Sequence, residues 1–239
     1  MAAARKVVDI VFPPSCAGCE GEGPGRSLCG SCLEEIVPPR SPLCPTCGIP
    51  FHGRSGTDHP CSRCLDRRPC FTVARAVTTH DALHTGGPGL SSALFRYKYG
   101  RDVTLARPLG ELLAERCPLS PRYDVIVPVP LHVTRLRWRG FNQALLIAKP
   151  LQRMWGVPLD PFALRRVRPT RPQVGLDDAG RRRNIAGAFE VRGRAAVRKR
   201  SVVLVDDVFT TGATADECAR TLLRAGARRV DVLVLARAL

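Results

Sequence analysis

The order of apolar patterns along this chain predicts an α/β domain with a mainly parallel sheet flanked by helices, preceded by a small cysteine-rich module. Three observations carry the expectation. Four CxxC pairs crowd the first quarter of the sequence and none occurs after it. Beyond Pro69, strand-like and helix-like stretches alternate with short connections, the order from which parallel sheets are built. Two of these stretches, 124-DVIVPVP-130 and 202-VVLV-205, contain continuous apolar runs, the mark of strands covered on both faces.

The cysteine-rich module comes first. Its pairs are Cys16/Cys19, Cys29/Cys32, Cys44/Cys47 and Cys61/Cys64. A CxxC turn sets two thiolates on one edge of a metal, and two such turns complete a tetrahedral S₄ site, so four pairs match two structural Zn²⁺ ions. Pairing in sequence order gives Cys16, Cys19, Cys29 and Cys32 for one ion and Cys44, Cys47, Cys61 and Cys64 for the other. An interleaved pairing also satisfies the spacing. Disulfides would need an oxidising compartment, which no secretory signal announces. A redox CxxC usually occurs once, at a helix start, not four times among prolines. His52 and His59 lie between the knuckles of the second set but are superfluous beside four cysteines. Cys70, Cys117 and Cys218 read as buried thiols. Residues 1–69 have little apolar core of their own, so metal binding would supply most of their folding free energy.

Residues 70–239 form the second expected domain, with a hood over roughly 70–120 and a core over roughly 121–239. Here 71-FTVARAVT-78 alternates like a half-buried strand, and 81-DALHTGGPG-89 reads as a turn. Apolar residues at helical spacing mark 90–99 and 103–116, the latter stopping before Pro118. The apolar strand 124–130 follows. A helix over 141–155 contains Pro150, which should kink or break it. Residues 165–187, polar, basic and containing Gly and Pro, read as a mobile loop or hairpin. Strand 202–206, helix 214–225 and strand 230–238 complete the pattern.

The stretch 202-VVLVDDVFTTGAT-214 asks for a chemical explanation, because it ends an apolar strand in adjacent carboxylates. The loop Thr210–Thr214 enters a helix whose first backbone N–H groups are unpaired and carry the positive end of the helix dipole, which suits a phosphate. Gly212 lets the backbone approach a ligand closely, and Thr210, Thr211 and Thr214 add hydroxyl donors beside Ala213. Asp206 and Asp207 would repel that phosphate and must face something else. Ionised carboxylates accept hydrogen bonds only, which fits the vicinal diol of a pentose 5-phosphate. A bare Asp-Asp or a Thr-rich turn would suit an ordinary helix cap; the full string suits a ligand.

This string resembles the phosphoribosyl pyrophosphate (PRPP) signature of type I phosphoribosyltransferases. The PVPL turn at 128–131, RGFNQA at 139–144, Gln173, the RxxN of Arg181–Asn184 and GAF at 187–189 extend the resemblance to the ComF competence-protein family. That family joins an N-terminal zinc ribbon to a phosphoribosyltransferase-like domain. The resemblance implies that Asp206 and Asp207 hold the ribose hydroxyls and that Thr210–Thr214 hold the 5-phosphate. A loop after 128-PVP-130, through Arg135, Arg139 and Gly140, would hold the pyrophosphate, with Arg137 a further candidate. Planar guanidinium groups suit that polyanion. Mg²⁺ would bridge pyrophosphate and ribose hydroxyls, held chiefly by substrate oxygens. Lys98, in YKYG, matches a family turn and implies a phosphate or structural contact, and residues 165–185 would close over the site. The segment 79–89 is looser than the family pattern. No residue announces a general base or an acceptor for phosphoribosyl transfer.

A net charge of +16 suggests a polyanionic partner, although the Arg-rich, Lys-poor composition is also what a GC-rich genome writes. Single-stranded DNA and competence or DNA-processing proteins are the partners the resemblance implies. The basic segments 181-RRR-183 and 192-RGRAAVRKR-200 support the nucleic-acid reading, while Tyr97, Tyr99 and Trp138, the only stacking candidates, read as core or hood packing. No stretch approaches the roughly 20 apolar residues that span a bilayer, and the expected location is the cytoplasm.

Overall fold

The computed structural model describes residues 15–21, 23, 27–51, 55–80, 89–117, 123–170 and 177–239. Its elements run α1 (Gly30–Glu34), α2 (Ser62–Arg67), β1 (Ala74–His80), α3 (Leu90–Lys98), α4 (Ala106–Arg116), β2 (Val125–Pro128), α5 (Val133–Arg139) and α6 (Gln143–Trp155). Then come β3 (Leu164–Arg166), α7 (Asp178–Ile185), β4 (Phe189–Val191), β5 (Ser201–Phe209), α8 (Ala213–Arg224) and β6 (Arg229–Ala238). The sheet order is β1, β6, β5, β2, parallel throughout, while β3 and β4 form a separate antiparallel pair. This is the mainly parallel, helix-flanked α/β architecture that the alternating patterns predict.

The continuous apolar runs exist because successive side chains enter different cores. Val203 and Val205 of β5 join Ile126, Leu233 and Leu235 on one face, under Leu109 and Leu113 of α4 and Ile147 and Leu151 of α6. Val202 and Leu204 point the other way and join Val125, Val127 and Val232, under Cys218 and Leu222 of α8. All four β5 residues are fully buried.

The cysteine-rich module is built into these cores. Cys16, Ala17, Leu28, Cys32 and Ile36 belong to the same apolar cluster as Leu90 and Leu94 of α3. Cys44, Cys47 and Cys64 belong to the cluster on the opposite face, with Phe71 and Phe209. The join at β1 is tight: the Ala74 amide donates to the Thr46 carbonyl at 2.7 Å. Gly48 sits there at φ +68°, and a Cβ would lie 2.7 Å from the Ala74 carbonyl oxygen, so no other residue fits without moving the strand.

Four sequence expectations are corrected. Residues 133–139 are helical, so the segment after 128-PVP-130 is a turn leading into α5 and not an open loop. The helix 143–155 runs through Pro150 without ending and stops at Gly156, whose φ of 67° caps it. The stretch expected as a loop or hairpin contains α7 between the paired strands β3 and β4. β5 continues to Phe209, three residues beyond its expected end at 206. Among the described residues no helix is long and apolar enough to cross a membrane. His52, Gln173 and the turn at 81–88 lie outside the described residues.

Because each cysteine cluster contributes to a shared core, the ribbon and sheet should melt as one unit. Stripping zinc with a chelator should lower Tm by at least about 10 °C in a single transition, since a structural site contributes on the order of 10 kcal/mol. Differential scanning calorimetry with and without chelator checks this; a separate low-temperature transition with the main peak unmoved would contradict it.

Candidate functional sites at the cysteine clusters and the carboxyl end of the sheet

The eight CxxC cysteines gather in sequence order. Cys16, Cys19, Cys29 and Cys32 form one cluster and Cys44, Cys47, Cys61 and Cys64 the other, each with its four Sγ atoms within 4.8 Å of one another. The Cys16–Cys32, Cys19–Cys29 and Cys47–Cys61 sulfur separations are 3.7, 3.8 and 3.7 Å. A Zn–S bond of about 2.3 Å in a tetrahedron requires edges of about 3.8 Å, so both clusters fit a structural zinc ion. The pairing left open by spacing is sequential. Backbone N–H groups of Gly18 and Cys29 donate to Cys16 Sγ at 3.3 and 3.1 Å, as a thiolate requires. His59 stacks on Phe51 at 4.1 Å and is not among the cluster's ligands. Cys117 and Cys218 are buried, as expected, but Cys70 is only half-buried.

At the carboxyl end of the sheet, β2 stops at Pro128, paired with Val205, while β5 continues beside β6. Asp206 and Asp207 therefore emerge where one flank of their strand is uncovered. They line a cavity of about 320 Å³ together with Lys98, Arg135, Arg139, Thr210 and Thr214. The fold thus brings together residues that lie up to 116 positions apart in the chain (Lys98 to Thr214). Such strand-end crevices are where open α/β sheets bind ligands.

Each carboxylate also has a contact within the protein. Asp206 Oδ1 accepts from the Asp207 amide at 2.9 Å, and Asp207 Oδ2 pairs with Lys98 Nζ at 3.3 Å. Burial, then the neighbouring Asp207 charge, pushes the Asp206 carboxyl up to about 7. Burial works to lower the Lys98 ammonium, but the charges of Asp207 and Asp206 outweigh it and raise its pKa.

The cavity's opposite wall is cationic and under-satisfied. Arg139, in the last turn of α5, is 4% exposed, and Arg166 on β3 reaches in from the antiparallel pair. Arg139 Nε, Arg166 Nε and the Gln143 amide nitrogen have no partner among the described residues. Burial, followed by the charge of Arg135, depresses both guanidinium groups. Buried donors left without acceptors are costly, and a polyanion would satisfy them together.

The remaining loop residues divide. Thr210 and Thr214 face the carboxylate cavity, whereas Thr211, Gly212 and Ala213 line a neighbouring one. Gly212 has φ +81°, and a Cβ there would come within 2.5 Å of the Phe209 ring. Gly140 caps α5 at φ 87° and does not line the cavity. Arg166 was not singled out by the sequence, because it sits among many arginines in a polar stretch. Gln143 lay inside RGFNQA, but its single-letter context carries no sign that its amide turns inward.

Of the three aromatic residues expected in packing roles, Tyr97 meets the expectation and two do not. Tyr97 is buried, its hydroxyl donating to the Gln143 carbonyl at 2.9 Å. Trp138 and Tyr99, expected in packing roles, are 64% and 60% exposed. Arg101 lies over the Trp138 ring at 5.2 Å and Arg139 at 6.0 Å.

Fold and sites together define a double-ribbon α/β protein with two Cys₄ centres and a cationic crevice facing paired carboxylates. Residues 7–65 match the double zinc ribbon domain family. Over 218 residues the chain is 38% identical to the DNA utilization protein YhgH of Salmonella typhi, spanning 89% of this chain and 91% of that protein. It is 32% identical over 226 residues to competence protein F of Haemophilus influenzae, again spanning 89% and 91%. The chain belongs to the ComF family. Among solved structures, the purine phosphoribosyltransferase of Pyrococcus horikoshii Ot3 is similar with a TM-score of 0.35 and 20% identity, over 54% of this chain and 70% of that one.

The raised Asp206 pKa has a stability consequence. The fold favours the protonated form, so the stability this group contributes is complete below its unfolded value of about 4. It is lost as pH rises through about 7. Asp206→Asn should therefore be more stable than wild type at pH 8, by on the order of 2–4 kcal/mol, and nearly equal to it at pH 4. Urea unfolding at the two pH values measures this; a difference that does not change with pH would contradict the assignment.

Proposed function

We propose that the chain binds PRPP with Mg²⁺ in the crevice at Asp206–Asp207 and transfers the phosphoribosyl group to an acceptor, in the service of DNA uptake. The observation that carries this reading is the pairing of two carboxylates with Arg139, Arg166 and Gln143 donors that lack partners, inside one cavity. Adjacent acceptors suit the ribose diol, and guanidinium groups with an Nε donor unpaired among the described residues suit pyrophosphate. Thr210 and Thr214, at the entrance to α8, stand where a 5-phosphate would lie. The names of the two relatives, DNA utilization and competence, support the cellular role.

Asp206 and Asp207 orient the sugar, and the Lys98 pair holds Asp207 in place. The bond from C1 to the pyrophosphate oxygen breaks with its electron pair leaving on pyrophosphate, as the acceptor's lone pair forms the new bond to C1. Arg139 and Arg135 stabilise the charge that gathers on the leaving group, and the carboxylates sit near the oxocarbenium-like sugar. The donor set fits a Mg²⁺ held mainly by substrate oxygens, which when bound would neutralise pyrophosphate charge.

Calorimetric titration of PRPP with Mg²⁺ tests the binding step. Wild type should bind, and Asp206→Asn/Asp207→Asn should lose at least tenfold in affinity. Affinity should also rise as pH increases through about 7, where Asp206 gives up its proton. Equal binding by the variant, or none by either protein, would remove the reading.

A second reading is favoured by one observation. Trp138, Tyr99 and Phe95 are exposed beside Arg101 and the α5 arginines, a stacking surface with cationic edges. We infer that single-stranded DNA docks there, next to the crevice. Affinity for a short single-stranded oligonucleotide should fall steeply with salt and weaken about fivefold or more in Trp138→Ala, since base stacking contributes roughly 1–3 kcal/mol. A flat salt response, or an unchanged Trp138→Ala affinity, would count against it.

A further inference from the structure

A second cavity, of about 230 Å³, lies on the other side of the 210–214 loop, between the second cysteine cluster and α8. Phe71 and Phe209 line it together with five arginines. Arg63 and Arg67 come from the ribbon helix α2, Arg182 from α7, Arg220 from α8 and Arg237 from β6. Two carboxylates line it with them, Asp178 and Asp216.

The carboxylates are already engaged. Asp178 is shared by Arg63 at 3.5 Å, Arg182 at 3.4 Å and Arg67. Asp216 pairs with Arg220 at 2.9 Å and accepts from the Cys70 amide at 2.6 Å. Five guanidinium groups line the cavity with these two carboxylates, Glu217 also pairs with Arg220 at 3.5 Å, and Cys47 and Cys64 of the second cysteine cluster line it too.

Arg237 is the group left over. It is 2% exposed, with its guanidinium stacked over the Phe209 ring at 4.7 Å. One nitrogen, Nη2, donates to Cys47 Sγ at 3.5 Å. Its Nε and Nη1 have no partner among the described residues. A guanidinium buried to this degree normally has its donors paired, because each unpaired donor forfeits its hydration without return. Among the described residues no acceptor is offered to these two donors, and Arg237 lines the cavity, so an anion held there could supply one.

We propose that this cavity binds a small free anion of the phosphate class, such as inorganic phosphate or pyrophosphate. The chemistry follows from the donors: guanidinium forks recognise tetrahedral oxyanions bidentately, and five of them line this cavity. The size follows from the volume, which falls below the roughly 300–1,000 Å³ of pockets that enclose a drug-sized ligand. The site is distinct from the carboxylate crevice and does not depend on its assignment. It joins ribbon to sheet, since α2 and Cys47 belong to one and Phe209 and Arg237 to the other.

The test is calorimetric titration of inorganic phosphate into the zinc-loaded full chain. Wild type should bind. Arg237→Leu should weaken binding at least tenfold while keeping both zinc ions. Should Arg237→Leu fail to fold, Arg63→Gln/Arg67→Gln decides in its place, with the same loss expected. Unchanged binding in the deciding variant, or no binding by wild type, would overturn the proposal. A competition arm identifies the source: a short single-stranded oligonucleotide that displaces phosphate and is itself lost with Arg237→Leu would make a nucleic-acid backbone the occupant and overturn the free anion.

Discussion

Two like charges placed side by side on a buried strand set the terms for the rest of the molecule. Asp206 and Asp207 cannot both ionise in that position without cations nearby, and the fold supplies them from three separate elements. Lys98 comes from the end of α3, Arg139 from the end of α5 and Arg166 from β3. Leu90 and Leu94 of α3 and Leu164 of β3 are buried in the core, which fixes where Lys98 and Arg166 stand, whereas in α5 Arg139 is itself the buried residue. The balance is incomplete, as the raised pKa of Asp206 and the Arg139 and Arg166 Nε donors without a partner among the described residues both record. Such a remainder is what the proposed ligand, with hydroxyl donors on one side and anionic acceptors on the other, would satisfy.

The cysteine clusters serve a different end. Their sulfurs stand at tetrahedral spacing, and their buried members belong to the two apolar clusters on opposite faces of the sheet. Metal binding therefore completes cores that the sheet alone would leave open. The link is also electrostatic on one side: the Arg237 guanidinium donates to Cys47 from the last strand of the sheet. Donation to a ligating sulfur is the outer-shell support that zinc sites commonly have.

Much of this was readable from the chain. CxxC spacing identified the eight metal-binding cysteines, because two thiolates three residues apart in a tight turn can meet one ion. Continuous apolar runs identified the parallel strands, because only strands covered on both faces dispense with alternation. The twin carboxylates and the Thr–Gly loop announced the crevice. Helix α5 was missed: its seven residues, VTRLRWR, carry only two aliphatic side chains among three arginines and show no capping signal strong enough to stand out. Helix α7 was hidden in the same way by DAGRRRNI, whose apolar content is too low for a periodicity. Trp138 and Tyr99 were misjudged, because a large aromatic residue normally pays its way by burial, and exposure is a tertiary outcome.

What the sequence determined by itself was local chemistry: which cysteines can share a metal, which strands are doubly buried, and where two carboxylates end a strand beside a Thr–Gly loop. These depend on residues within a turn or two of each other, where covalent geometry and period suffice. The tertiary structure alone decided that the cysteine pairs associate in chain order and that Lys98 meets Asp207. It also decided that Arg237 is buried between ribbon and sheet with donors to spare. Those facts join segments up to 190 residues apart, as in the Arg237–Cys47 contact. Only the packing of whole elements brings such segments together, and no local pattern encodes it.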